Sequence, residues 1–249
     1  MNIAVENLSF SYGEREILKD ISFSVSPGGL TFLLGANGSG KSTLLKLLSG
    51  LLSPRQGEIL LDGRPLKNFS PAERAKHIGV MLQKNAPALD FTAEEFVLFG
   101  RNAKLSRLAP PGENDFEAVR QALCAVGMEN FASRKANTLS GGEFQRLALA
   151  ASLALDSEIL LLDEPTSAQD PAQAAKVFEK LQLYAQNKSI LIISHDLLLA
   201  RYFARCVLLL EGGSIFAAGT PGECLTSQNL TRLYGMPLPE FFHTQSSLS

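Results

Sequence analysis

The chain has 249 residues, 45% of them hydrophobic, and a formal net charge of −2 at pH 7, which suits one large α/β domain and provides no basic surface of the kind that binds nucleic acid. Its three cysteines are widely separated and lack the spacing of a zinc site, which favours a reducing compartment. The first residues do not read as a secretory signal, and no apolar run approaches the roughly 20 residues that span a bilayer, so we expect a soluble protein.

The N-terminal part of the chain predicts strands. Apolar residues alternate along residues 2–26, which is the period-two pattern of antiparallel strands with one buried face. A turn at residues 27–29 leads into the short apolar run 30–34, which predicts a buried strand.

A glycine-rich loop follows this strand at residues 35–43, which read Gly-Ala-Asn-Gly-Ser-Gly-Lys-Ser-Thr. The pattern is G-x-x-x-x-G-K-[ST], and strand, glycine loop and helix stand in the order that a phosphate cradle requires. Glycines let backbone N–H groups approach an anion, Lys41 adds a point charge for the β and γ phosphates, and Ser42 offers a hydroxyl to Mg²⁺. The alternative is a chance turn rich in glycine and serine. The residues predicted to bind nucleotide here are Gly35, Asn37, Gly38, Ser39, Gly40, Lys41, Ser42 and Thr43.

The middle of the chain mixes strand and helix patterns. Two capping boxes, Ser70 to Glu73 and Thr92 to Glu95, predict helix starts, and Gln83 ends a predicted strand between them. We therefore expect residues 84–155 to be a mostly helical insertion between strand-rich segments. The other predicted elements are a strand over 57–62, a strand over 78–83, a surface loop over 102–114 and a helix over 115–128.

Strands and helices alternate after residue 155. Apolar strands that alternate with helices indicate a parallel sheet covered on both faces. Gly212-Gly213 predicts the turn of a final hairpin. The predicted strands are 158–163, 189–194 and 206–211, and the predicted helices run from 170 to about 186, from 196 to 205 and through short segments within 221–235.

Three further motifs follow the glycine loop in order. Residues 139–146 read Leu-Ser-Gly-Gly-Glu-Phe-Gln-Arg, residues 159–166 read Ile-Leu-Leu-Leu-Asp-Glu-Pro-Thr, and residues 194–196 read Ser-His-Asp. Together with the glycine loop and Gln83, they resemble the signature sequence, the second nucleotide motif and the switch histidine of ATP-binding cassette (ABC) ATPases. The resemblance covers essentially the whole chain.

This resemblance implies an α/β fold: a P-loop NTPase core with a parallel sheet flanked by helices, an N-terminal antiparallel β subdomain and an inserted α-helical subdomain. Residues 1–249 would form a single ABC ATPase domain. Residues 1–83 and 156–220 would make the nucleotide-binding core with its β subdomain, residues 84–155 the helical subdomain, and residues 221–249 a C-terminal tail.

Two carboxylates end the apolar strand of the second motif, where ligands of parallel sheets collect. Asp163 is predicted to hold Mg²⁺ together with Ser42. Glu164 is predicted to be the general base, which orients the water that attacks the γ phosphate and accepts its proton. The alternatives are a helix-capping aspartate and a surface carboxylate.

Three other side chains take their roles from the resemblance alone. His195 would hydrogen-bond the γ phosphate and act with Glu164 and Lys41 in catalysis. Gln83 would contact Mg²⁺ and the attacking water. Tyr12 would stack on adenine, against the alternative of an ordinary tyrosine at a turn.

The signature residues open a helix, which makes them a second site for an anion. The resemblance implies that this segment of one copy meets the glycine loop of another, in a head-to-tail, two-fold symmetric pair with two ATP molecules between the subunits. Residues 167–170 would lie across that interface, where Gln169 replaces the usual leucine. The signature residues are Ser140, Gly141, Gly142 and Glu143.

The resemblance further implies the ATPase subunit of a bacterial-type importer, which uses ATP and Mg²⁺. Its partners would be a second copy of itself, transmembrane permease subunits and, through them, a substrate-binding protein. It would lie at the cytoplasmic face of the plasma membrane. Residues 65–83 and 91–101 most resemble importers of iron–siderophore complexes, haem and cobalamin.

Other functions stay open. A soluble ABC ATPase that acts on DNA or ribosomes would carry a coiled-coil insertion or two cassettes, whereas residues 41–163 contain no heptads. A non-enzymatic regulator would lack Glu164 or His195. An exporter is not distinguished by the core motifs.

Overall fold

The computed structural model describes residues 1–82, 90–105 and 110–235. Within them, the larger sheet has six strands. Five adjacent strands run parallel to one another, and the sixth, Ser214–Gly219 at one edge, is antiparallel to its neighbour. This confirms the predicted parallel sheet. In spatial order, the strands are Ser214–Gly219 (β10), Ala204–Glu211 (β9), Leu30–Gly35 (β3), Ser189–Ile193 (β8), Ile159–Asp163 (β7) and Ile78–Met81 (β6).

A smaller antiparallel sheet confirms the predicted N-terminal β subdomain. Its first two strands form a hairpin, and buried and more exposed side chains alternate along parts of both strands, as at Ile3 and Val5. Register shifts interrupt this period-two pattern, as between Val5 and Leu8. In spatial order, its strands are Arg15–Val25 (β2), Ile3–Tyr12 (β1), Gln56–Leu61 (β4) and Arg64–Pro65 (β5).

Helices cover the larger sheet. The first begins directly after the glycine loop, and three consecutive helices in the middle of the chain pack on one another. The division at residues 84 and 155 stays a prediction. The helices are Lys41–Leu48 (α1), Pro71–His77 (α2), Ala93–Gly100 (α3), Glu113–Ala125 (α4), Gly141–Ala154 (α5), Pro171–Ala185 (α6), Leu197–Phe203 (α7), Pro221–Cys224 (α8) and Ser227–Tyr234 (α9).

The larger sheet is buried on both faces because successive strand residues enter different hydrophobic clusters. Along β3, Phe32 and Leu34 pack with α3 to α6, whereas Leu33 packs with α1 and the smaller sheet. Ile190 and Leu191 of β8 divide in the same way. The strands therefore read as continuous apolar runs, and their carboxyl ends are fixed rigidly at one edge.

Both capping boxes predicted from the sequence are formed. Glu73 accepts from the Ser70 N–H at 2.7 Å and Glu95 from the Thr92 N–H at 2.7 Å, while each N-cap hydroxyl accepts a backbone N–H in return. These N–H donors hold the pKa of both glutamates below the ordinary range.

The boundaries of two helices differ from the prediction by two or three residues, and α4 ends at Ala125 rather than residue 128. Helix α4 starts at Glu113 rather than residue 115, because the Gly112 N–H donates to Asp115 Oδ2 at 2.9 Å and caps the helix earlier. Helix α7 ends at Phe203 rather than residue 205, because the chain enters β9 at Ala204, which pairs with Leu30. That pairing also starts β9 two residues before its predicted start.

Candidate active site

The predicted catalytic residues meet at the carboxyl ends of three neighbouring strands. The glycine loop follows β3, Asp163 is the last residue of β7, and His195 lies two residues after β8. Parallel strands end at the same edge of a sheet, so this order alone gathers the side chains. A cavity of about 330 Å³ lies there. On one side it is lined by the glycine loop and the start of α1, with Lys41 and Ser42. On the other side it is lined by the end of β7, with Asp163 and Glu164.

The loop needs glycine at two points for separate reasons. Gly40 has φ +108°, a backbone conformation that side chains with a Cβ rarely adopt. At Gly35, a Cβ would lie 2.5 Å from the Leu210 carbonyl oxygen and 2.6 Å from Ser39 Oγ. Ser39 Oγ is itself buried and has no hydrogen-bond partner among the described residues. The loop thus has the open backbone and unmet hydrogen-bonding capacity that a bound phosphate would use.

Lys41 points back into the loop. Its Nζ donates to the carbonyl oxygens of Gly35 at 2.7 Å and Ala36 at 2.9 Å. Burial lowers the pKa of the ammonium, while the carboxylates of Glu164 and Asp163 act in the opposite direction. The Lys41 ammonium is therefore fixed where the loop closes around an anion.

Ser42 and Asp163 bring two hard oxygen donors together, with Oγ and Oδ2 3.5 Å apart. Burial, with a smaller contribution from Glu164, raises the pKa of the Asp163 carboxyl. Within the described residues, no cluster of three or more His, Cys, Asp or Glu side chains could hold a metal alone. The donor set suits a cation such as Mg²⁺ that keeps several waters and takes phosphate oxygens as ligands.

Glu164 and His195 form a hydrogen-bonded pair, with Oε1 and Nδ1 2.8 Å apart. The Glu164 side chain is 15% exposed and that of His195 is 68% exposed. A carboxylate oxygen only accepts, so the ring nitrogen is the donor. Glu164 also has φ +50°, a left-handed conformation that costs a non-glycine residue on the order of 1–3 kcal/mol. The surrounding contacts must therefore hold this residue in place.

Gln145 supplies one of those contacts and holds the turn that follows Glu164, and the sequence analysis assigned it no role. Its Nε2 donates to the Glu164 carbonyl and, at 2.9 Å, to Ser167 Oγ. Its Oε1 accepts from the Ala168 N–H at 2.9 Å. Because these partners lie 19 to 23 residues away in sequence, no local pattern signals them.

The signature residues lie apart from the glycine loop of the same chain. Ser140 and Glu143 form a capping box at the start of α5, with Glu143 Oε2 2.7 Å from the Ser140 nitrogen. Ser140 and Gly141 are exposed. Of the described residues that line the cavity at the loop, none belongs to 140–143. One chain therefore presents two separate candidate anion sites.

The hairpin β1–β2 places two further side chains beside the loop, and the role of Tyr12 stays a prediction. Tyr12 is 48% exposed and packs edge-on against Phe10, with ring centroids 4.9 Å apart. The described residues that line the cavities beside the loop include Arg15 and Ile17 but not Tyr12. Arg15 pairs with Tyr12 across the hairpin, so its position beside the loop follows from strand register. Gln83 lies outside the described residues.

The sequence pattern of the ABC transporter family matches residues 18–167 of this chain. The chain is 37% identical over 242 residues to the hemin import ATP-binding protein HmuV of Nocardia farcinica, covering 97% of this chain and 83% of that protein. It is 34% identical over 233 residues to the ferric enterobactin transport ATP-binding protein FepC of Escherichia coli, covering 93% and 86% of the two chains.

Solved structures resemble the fold over most of its length. The inward-facing structure of a protein assigned to the metal-chelate type of ABC transporter has a TM-score of 0.80 and 32% identity, covering 94% of this chain and 89% of its own. The dimeric bacterial ABC transporter cassette MJ0796 has a TM-score of 0.78 and 30% identity, covering 88% and 98%. Among the described residues, the chain itself forms no helix that is long and apolar enough to cross a membrane.

Proposed function

Since this chain belongs to the ABC transporter family and is an ATPase, we propose that it powers the import of an iron–siderophore complex, haem or cobalamin. The observation that carries the chemistry is the Glu164–His195 pair beside the residues that line the loop cavity. The cargo is supported by the relatives, one a hemin importer subunit and another a ferric enterobactin transport subunit.

Hydrolysis follows from the positions of the side chains. Backbone N–H groups of the loop and the Lys41 ammonium bind the triphosphate and balance its charge. A water oxygen attacks the γ phosphorus while Glu164 accepts the proton of that water, and His195 keeps the carboxylate oriented. The bond between the γ phosphorus and the bridging oxygen breaks, its electron pair stays on that oxygen, and ADP and phosphate are formed.

Ser42 and Asp163 would hold Mg²⁺ beside the phosphates. The bound ion would supply positive charge that neutralises the β and γ phosphate oxygens. Asp163 must be ionised to bind it: burial raises the pKa of this carboxyl, and the nearby Lys41 ammonium and Ser42 hydroxyl act in the opposite direction.

We further propose a head-to-tail dimer. The support is that Ser140 and Gly141 are exposed and that the signature segment does not line its own chain's loop cavity. A copy related by two-fold symmetry would bring that segment onto the triphosphate held by the loop of the first copy. Residues 167–170 would then meet across the axis.

We propose that the permease docks in a second, larger cavity. This groove has a volume of about 780 Å³ and lies between α2 and β6 on one side and α3 and α5 on the other. Its lining is mainly apolar and includes Leu51, which is 64% exposed, Phe96 and Ala148. An amphipathic helix from a transmembrane subunit fits such a groove. The chain would then act at the cytoplasmic face of the plasma membrane and reach a substrate-binding protein only through the permease.

The test is purification of the tagged protein from detergent-solubilised membranes. We expect a polytopic permease to co-purify, and transport of each candidate cargo in vesicles that hold the complex then identifies the substrate. Leu51→Asp should abolish co-purification of the permease. Leu183→Asp, which changes a similarly exposed leucine of α6 outside the groove, should preserve it. A ribosome or DNA in place of the permease would contradict the proposal.

A further inference from the structure

The start of the signature helix is packed directly against the turn that follows the catalytic base. A Cβ at Gly142 would lie 2.6 Å from the carbonyl oxygen of Ala168. Only a glycine allows this approach without a shift of the backbone. The first turn of α5 and residues 164–168 therefore form one packed unit.

One side chain joins the two parts of this unit. Gln145, one turn into α5, uses its Nε2 for the Glu164 carbonyl and Ser167 Oγ, and its Oε1 for the Ala168 N–H. Its amide thus spans the turn from Glu164 to Ala168.

Both backbone polar groups of Glu164, the N–H and the carbonyl, are hydrogen-bonded. Its N–H donates to the Ile193 carbonyl at 2.9 Å, and its carbonyl accepts from Gln145. With φ at +50°, this backbone keeps its position only while such contacts last. The carboxylate extends from that backbone to His195.

We infer that Gln145 is a positioning residue, which fixes Glu164 of its own chain to the signature segment that contacts the triphosphate held by the twin. The inference rests on the proposed function, because it needs ATP between two copies. It makes the base of each chain competent only when that chain's own signature segment is seated. The two ATP sites of the pair are thereby coupled through 164–168.

The first test separates binding from turnover. Gln145→Ala should lower kcat by about 100-fold, the size of effect expected when a base is displaced by about 1 Å, with ATP affinity of the isolated chain unchanged. Gln145→Glu, which keeps the acceptor for Ala168 but loses the donor to Glu164, should be as slow. The control is Gln121→Ala, which removes one exposed hydrogen bond on α4 and should keep wild-type turnover.

The second test uses mixed dimers with one active base, purified through two different tags. In the cis dimer, Gln145→Ala and Glu164→Gln lie in one chain and the other chain is wild type. In the trans dimer, the two substitutions lie in different chains. Single-turnover cleavage of ATP is compared with a dimer that carries Glu164→Gln alone, because one turnover does not require the dimer to reopen.

We expect the cis dimer to match the reference and the trans dimer to be about 100-fold slower, since only there does the active base lack its Gln145. The reverse result would mean that Gln145 shapes the signature for the twin's ATP, and equal losses would mean a general structural role. Either outcome, or no loss in both, overturns the inference. Failure of the wild-type protein to hydrolyse ATP or to dimerise with it would instead reject the proposed function, and the inference with it.

Discussion

Glu164 combines a strained backbone with a hydrogen-bonded carboxylate, so its function can be tested without removing its contacts. Glu164→Gln keeps the shape and an acceptor for His195 but cannot take a proton. We expect turnover to fall by about 10²- to 10⁴-fold, the usual contribution of a general base. Steady-state ATPase assays measure this loss. ATP affinity should be unchanged and the dimers with ATP should persist, because the substitution blocks the cleavage of ATP and not its binding.

The control for that variant is Glu179→Gln, which changes an exposed glutamate on the outer surface of α6. It should leave turnover as in the wild type. Rapid hydrolysis by Glu164→Gln would remove Glu164 from the role of base.

Lys41 acts at an earlier step than Glu164. Lys41→Ala removes the ammonium from the loop, and a hydrogen bond between charged groups contributes about 1.5–3 kcal/mol, so ATP affinity should fall by about 10- to 100-fold. Calorimetric titration of the isolated chain measures this. Lys46→Ala, at an exposed position on the same helix, is the matched control and should bind ATP normally. Equal affinities of the two variants would reject the phosphate role of Lys41.

Residues whose chemistry is encoded by a local pattern could be predicted from the sequence. Lys41 and Ser42 lie in one motif. Asp163 ends an apolar strand and Glu164 follows it, which places both pairs at the same sheet edge. Gln145 lies in the signature motif, but its role could not be found this way, because its hydrogen bonds depend on the packing of α5 against a distant turn. The assignment of Tyr12, which rests on resemblance alone, stays a prediction.

Helix starts are the elements whose stability the sequence specifies most locally. The Glu95 carboxylate accepts from the Thr92 N–H and hydroxyl, and the backbone bond is the larger cause of its lowered pKa. A carboxylate with a lowered folded pKa stabilises the protein above the ordinary value of 4.5, and this stabilisation is lost as the pH falls through the folded pKa.

Glu95→Ala should therefore lower the melting temperature at pH 7 relative to the wild type. The difference should shrink as the pH is lowered below 4.5 and vanish once the wild-type carboxyl is protonated. Thermal unfolding followed by circular dichroism over this pH range measures it. Glu94→Ala, in the same first turn but with no capping role, should give a smaller, less pH-dependent change. Equal effects of both variants would contradict the capping explanation.

The type of each element could be predicted from the sequence for a physical reason, whereas the spatial order of the strands could not. Period-two patterns and continuous apolar runs report how many faces of a strand are buried, and both kinds of strand occur as predicted. The spatial order β10-β9-β3-β8-β7-β6 depends on contacts between strands far apart in the chain. Observed element boundaries differ from the predicted ones where a contact between distant segments sets them. At Ala204, the pairing with Leu30 ends α7 before its predicted end.

The whole molecule presents two anion-binding segments that do not meet within one chain. The glycine loop lies at the carboxyl edge of the larger sheet, and the signature segment is exposed at the start of α5. A second copy is the simplest means of completing both sites at once. The prediction therefore concerns assembly, and it needs a variant that leaves the single chain intact.

Gly141→Asp meets that requirement. A Cβ at Gly141 would meet no atom within 4 Å, and a negative charge in the first turn of a helix is favourable, so the isolated chain should fold and bind ATP normally. Against the triphosphate of a twin, the same charge is repulsive, and such a juxtaposition costs several kcal/mol. We expect ATP-dependent dimers of the Glu164→Gln protein to disappear when Gly141→Asp is added, and turnover of the single variant to fall by at least about tenfold.

Light scattering with and without ATP measures the assembly, and Gly222→Asp provides the matched control. Gly222 lies in the first turn of α8, and a Cβ there would also meet no atom within 4 Å. It therefore receives the same charge in the same kind of position, at a helix that the proposed interface does not include. Dimerisation should survive Gly222→Asp and be lost with Gly141→Asp. If both variants dimerise as the parent does, the signature segment does not contact the twin's triphosphate, and each chain must complete its site in another way.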